Sequence, residues 1–141
     1  PETYTFELFG TDLLLEGEDV TLFATGVEVS PALEAAGILK EKGISAEVVN
    51  VHTIKPIDKE GILRSVRKTR CAVTCENHNI LGGLGSAVAE VLSEHDPVPL
   101  KYIGVDDSFL IVGKIKPLLE KFQMTPEDIA KKAIEAIAMK R

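Results

Sequence analysis

The sequence predicts an α/β chain folded as a three-layer α/β/α sandwich, and three observations lead there. Four short runs rich in β-branched and apolar residues, at 20–25, 46–51, 71–76 and 100–105, are separated by stretches with helical spacing of apolar residues. Strands that alternate with helices pair in parallel through right-handed crossovers, which puts helices on both faces of the sheet. The length of 141 residues suits one domain with a core of its own, with no need for a disulfide or metal staple.

Each element has a local reason. Residues 4–8 alternate as Tyr-Thr-Phe-Glu-Leu, and Leu13-Leu14-Leu15 precedes the turn residues 16–19, so residues 1–16 read as an edge strand or extended arm. The run at 20–25 is the firmest strand and ends at Gly26. Ser30 as N-cap, Pro31 at the first helical position and Gly43 just past Lys42 delimit a helix over 31–42. The strand 46–51 leads into His52-Thr53-Ile54-Lys55-Pro56, where the proline holds Lys55 extended. Asp58 then caps a helix that turns Ile62, Leu63 and Val66 inward and Arg64, Arg67 and Lys68 to solvent. After the strand 71–76, Asn77, His78, Asn79, Gly82, Gly83 and Gly85 link to a helix from Leu84 that buries Ala87, Val88, Val91 and Leu92. Following Asp96-Pro97-Val98-Pro99 come the strand 100–105, an irregular loop over 106–113 and a short helix over 114–122. Thr125 opens a last helix over 125–139, with Ile129, Ala133, Ile134 and Ile137 as its inward stripe and Lys131, Lys132 and Glu135 outward.

Charge and composition remove several function classes. The net charge is −6 with both signs interspersed, which argues against a nucleic-acid face. No apolar run approaches the roughly 20 residues needed to cross a bilayer, and no leader-like segment opens the chain. A soluble, cytoplasmic protein is expected. Cys71 and Cys75 stand four apart in one strand, too far along an extended backbone for a disulfide, and read as buried reduced thiols. No set of four zinc ligands occurs at the usual spacing. The chain opens at Pro1 without Met, which suggests a fragment of a longer polypeptide.

The glycine linker is the candidate site. It lies where a strand feeds a helix, at the carboxyl end of the sheet, where open α/β sheets place ligands. Two readings of it stand side by side. The glycines allow close packing of helix and strand, or they let unpaired N–H groups at the start of the Leu84 helix hold a small anion such as phosphate or sulfate. In the second reading Ser30, His78, Gly82, Gly83, Gly85 and Ser86 line the crevice. The spacing matches no dinucleotide fingerprint, and the lysine of a phosphate-gripping loop is missing. His52, His78 and His95 fall in three separate places, so no acid–base set forms. Neither a catalytic residue nor a metal site is assigned.

Three stretches carry a resemblance: Val20-Thr21-Leu22-Phe23-Ala24-Thr25-Gly26, Val51-His52-Thr53-Ile54-Lys55-Pro56-Ile57-Asp58, and the run from Glu76 through Gly82-Gly83-Leu84-Gly85-Ser86 to Ala87. In this order they resemble the C-terminal domain of transketolase, over about residues 6–137 and so through one domain spanning 1–141. Related domains close the beta subunit of 2-oxo acid dehydrogenases and the deoxyxylulose phosphate synthases. The resemblance implies a mixed, mostly parallel five-stranded sheet whose antiparallel strand comes from the segment before Glu16. It also implies a central strand at Val20, so that the loops after Gly26 and Glu76 flank a topological switch point. One departure stands out: where the family commonly has Ser-Gly shortly after a Phe, Phe109 is here followed by Leu110-Ile111-Val112-Gly113. What the resemblance implies for function is an enzyme of the pentose phosphate pathway that moves a two-carbon ketol unit between sugar phosphates on thiamine diphosphate with a divalent metal. The Gly-Asp-Gly that holds that metal is absent from this sequence. The implied role is therefore a structural, dimer-contacting or regulatory domain, inactive alone, in a homodimeric parent. Cofactor and metal then belong to upstream domains or to a separate N-terminal section. The alternatives are a free-standing anion-binding module, or the closing domain of one of the two related enzymes.

Overall fold

In the computed structural model, which describes residues 5–109 and 111–140, one mixed sheet is built from β1 (Asp12–Leu15), β2 (Val20–Ala24), β3 (Ala46–Asn50), β4 (Ala72–Asn79) and β5 (Leu100–Val105). Their spatial order is β1-β3-β2-β4-β5. β1 is antiparallel to β3, and the other pairs are parallel, with Leu22 opposite Val48 on one side and Val73 on the other. The central place of β2 is the one the resemblance implies. All five of its residues are buried, as expected of a parallel strand covered on both faces.

Successive residues of each strand point to opposite faces, and this splits the core in two. Leu22, Val48, Val73 and Ile103 face α1 (Val29–Glu41) and α5 (Pro126–Ala138), with Leu119 of α4 (Ile115–Lys121) packed alongside. Phe23, Val49 and Ala72 face α2 (Lys59–Thr69) and α3 (Leu84–His95) through Ile62, Val66, Val88 and Val91. No helix among the described residues is long and apolar enough to cross a membrane. Cys71 and Cys75 are buried free thiols; burial pushes Cys71 up to about 11 and Cys75 well above the usual thiol range.

Several expectations are corrected. The N-terminal strand is Asp12–Leu15; Phe6 and Leu8 are exposed in irregular backbone, and Tyr4 lies outside the described residues. The reason is pairing: Asp12 already stands opposite Asn50, the last residue of β3, so residues before it have no strand to bond. Ser30 is not a cap. A 3-10 turn at Gly26–Glu28 runs directly into α1, with Glu28 in the N-cap position and its N–H donated to the Thr25 carbonyl at 3.2 Å. Asp58, by contrast, caps α2 as expected, accepting from the Gly61 N–H at 2.9 Å.

Lys68 does not simply face solvent. Its ammonium pairs with Glu16 and with the buried Glu47 of β3, whose Oε1 accepts from Thr21 Oγ1 at 3.2 Å. Burial acts to lower the Lys68 pKa, but the two carboxylates together hold it above the ordinary value. In α3, Val88, Val91 and Leu92 are buried as expected while Ala87 is only half-buried. In α5 the inward residues are Ile129, Ala130, Ala133 and Ala136, with Ile137 partly buried, and Ile134 is 40% exposed. The helix rolls toward its alanines because α1 meets this same core with Ala32, Ala35 and Ala36.

Candidate functional site

The strand order reverses between β2 and β4, so the loops leaving their carboxyl ends flank the switch point. The β4 strand runs further than expected, through Asn77 and His78 to Asn79. Between the pairs Cys75–Ile103 and Asn79–Val105 its register with β5 shifts, as at a bulge. Ile80 then donates its N–H to the Val105 carbonyl at 3.0 Å. His78 therefore sits at an exposed strand end and not in the glycine turn. Its Nδ1 lies 3.0 Å from the Asn79 carbonyl oxygen.

The start of α3 is not an empty donor site. Glu76, only 1% exposed, turns its carboxylate under the first turn of the helix. Its Oε2 accepts from the Leu84 N–H and its Oε1 from the Gly85 N–H, each at 2.8 Å. These are donors that a helix leaves without intrahelical partners, at the end where the helix dipole favours negative charge. The expectation of unpaired N–H groups at Leu84 is thus corrected: the protein supplies its own anion.

Two glycines exist for this arrangement. A Cβ on Gly83 would stand 1.9 Å from Glu76 Oε2, and one on Gly85 would stand 2.6 Å from Cδ1 of Tyr102 on β5. Gly83 makes room for the carboxylate, and Gly85 lets α3 lie close against the sheet. Gly82, at φ +82°, turns the chain and donates its N–H to Ser86 Oγ at 2.8 Å, while that hydroxyl reaches the Ile80 carbonyl at 3.3 Å. The structure therefore brings Gly82, Gly83, Gly85 and Ser86 together around Glu76. Ser30 belongs elsewhere, on α1 across the sheet, with its hydroxyl 3.4 Å from Glu34 Oε1.

Glu28 is the residue that sequence reasoning missed. It follows β2 at the same switch point and is fully buried, and neither carboxyl oxygen has a hydrogen-bond partner. Burial pushes its pKa up to about 7. The only sequence signal was an acid set between Val27 and Val29, which does not tell a surface residue from a buried one. The remaining histidines stay apart, with His52 Nε2 4.0 Å from Asp12 Oδ2 and His95 Nε2 3.2 Å from Glu94 Oε2. Among the described residues no group of three or more His, Cys, Asp or Glu side chains could hold a metal. A cleft of about 290 Å³ opens between Asn77, Val105, Leu118 and Phe122.

Comparison with known proteins places this geometry. The family model for the transketolase C-terminal domain matches residues 11–129. Among curated proteins, a 6-deoxy-6-sulfo-D-fructose transketolase subunit, SqwH, of Clostridium sp. (strain MSTE9) is 50% identical over 99% of this chain and 43% of its own length. A putative transketolase C-terminal section of Methanocaldococcus jannaschii is 47% identical over 95% of this chain and 42% of its own. Among solved structures, a split-gene transketolase described as an inactive β4 tetramer superposes with a TM-score of 0.92 at 44% identity, covering 100% of this chain and 45% of that one. The chain thus spans less than half the length of these relatives.

Proposed function

The chain belongs to the transketolase C-terminal domain family, and from that premise we propose that it is the C-terminal section of a transketolase-type enzyme, structural and subunit-contacting, with no chemical step of its own. Enzymes of this type depend on thiamine diphosphate, and the residues of this chain do not fit that cofactor. The helix N-terminus at the switch point, where a diphosphate would sit in a nucleotide-binding sheet, is filled by the Glu76 carboxylate. That is the observation on which the reading rests. It also occupies two of the donors, the Leu84 and Gly85 N–H groups, on which a free-standing anion-binding module would draw.

Under this proposal cofactor and metal are held by upstream domains or by a separate N-terminal section, in the cytoplasm, and the assembled enzyme transfers a two-carbon ketol unit between sugar phosphates. Relatives named as transketolase subunits support a partner of that kind. Their names also widen the substrate panel, since one is a sulfofructose transketolase subunit and another an apulose-4-phosphate transketolase subunit. The pentose phosphates are therefore one arm of the assay. Calorimetry of the chain alone with thiamine diphosphate and magnesium should show no binding. A ketol-transfer assay should give turnover only when the cofactor-binding section is added, and turnover or cofactor binding by the chain alone would overturn the reading.

A further inference from the structure

The two ends of the sheet differ in how much large apolar surface they expose. At the amino end the strands are entered from Glu16 to Asp19, from Ser45, and from the run Asp96-Pro97-Val98-Pro99, and the exposed large apolar side chains there are Leu15 and Met139. At the carboxyl end the connections expose large apolar side chains: Phe6 and Leu8 ahead of β1, Val27 after β2, Leu81 after β4, and Phe109 and Val112 after β5. Phe109 and Val112 are fully exposed, and Gly113, the residue after Val112, lines the cleft at Val105 and Phe122. Single exposed apolar residues need no explanation, but their recurrence in four of the five connections at one end, all but the one between β3 and α2, marks an interaction surface.

The path of the chain points to its occupant. Because β1 runs antiparallel to β3, residues before Asp12 lie at this same end; Thr11 Oγ1 donates to Asp58 Oδ2 at 2.9 Å, and the Phe6 and His52 rings are 4.7 Å apart. In the relatives more than half of the polypeptide lies outside the matched region, and a domain of this family is the C-terminal one, so that remainder precedes it. A preceding domain is then tethered at the apolar end and meets it at high effective concentration. We infer that the carboxyl end of the sheet, centred on Phe109 and Val112, is the face on which the domain that precedes this one in its longer relatives docks. The inference rests on the reading of the chain as a C-terminal section, and it names the face.

Hydrogen exchange tests it on a chimera in which this chain replaces the matched part of the Clostridium subunit, compared with the 141-residue chain alone over a concentration series. Residues 106–113 should exchange at least tenfold more slowly in the chimera and at one rate at all concentrations of the isolated chain. The pair Phe109→Asp and Val112→Asp should abolish the slowing while β2 and β4 amides stay slow. Unchanged exchange in the chimera would overturn the inference, and so would equal slowing in the isolated chain as concentration rises, which would assign the face to a second copy. Should the chimera fail to fold, seen as fast exchange in β2 and β4, the same comparison is made between the intact Clostridium subunit and its matched 139-residue part; slowing confined to the intact subunit supports the inference and its absence sinks it. Activity is read separately: a protected edge without ketol transfer leaves the docking face standing and refutes the functional reading.

Discussion

Glu28 ties the stability of this protein to pH. Its ordinary pKa of 4.5 is raised to about 7 because burial strips water from the carboxylate, and neither oxygen finds a donor in the interior to replace it. Between those values the folded state keeps a proton that the unfolded state has released, so the folded state loses stability as pH rises through the window and does not regain it above. A gap of that size is worth on the order of 3 kcal/mol. Glu28→Gln keeps the shape and stays neutral. Urea unfolding should therefore give similar midpoints for variant and parent near pH 4.5 and a more stable variant at pH 8; parallel pH profiles would mean that Glu28 is hydrated in the folded protein.

At the scale of elements, α3 depends on an anion from a neighbouring strand. Hydrogen bonds to a charged group are worth about 1.5–3 kcal/mol each, so Glu76→Ala should cost roughly 3 kcal/mol or more. The space it leaves is lined by the Leu84 and Gly85 N–H groups, and millimolar formate should raise the melting temperature of Glu76→Ala and not that of the parent. An equal response of the two proteins would disprove the capping role. The α1–α5 contact makes a second expectation. Ala133 is fully buried and Ile134 is 40% exposed. Ala133→Leu should then destabilise by about 1–3 kcal/mol through overpacking, and Ile134→Ala by under about 1 kcal/mol. The reverse order would mean that α5 presents the face expected from its large apolar residues.

Across the whole molecule, the two thiols report on global opening. Cys75 lies on β4 between two neighbouring strands, Cys71 lies just before it, and both are fully buried. Thiol labelling at pH 8 should follow the unfolding equilibrium, one rate serving both residues, with about a tenfold acceleration for each 1.4 kcal/mol that a variant loses. Val91→Asp, which buries a charge beneath α3, should accelerate labelling far more than Glu90→Ala on the exposed side. Two separate rates would show that the amino end of β4, where Cys71 stands, opens by itself.

The sequence by itself determined the class and order of the elements. Short runs of β-branched and apolar residues and helical spacing are local signals, and Asp58 and Thr125 announce their helices through side chains that bond within three residues. The family could be read as well, because its motifs are strung along the chain in a fixed order. What the tertiary structure decided are contacts between residues distant in sequence. Lys68 faces outward by its place in α2 until Glu47 arrives from β3, and α5 is rolled toward its alanines by the core it shares with those of α1. The candidate site went the same way. A glycine turn at a helix start looks like an anion site from either side of the turn, and only the fold shows that Glu76, eight residues before Leu84, has already taken it. An internal carboxylate and a bound anion satisfy the same N–H groups, so the choice between them rests on where the strand aims its last inward side chain, which is set when β4 packs against α3.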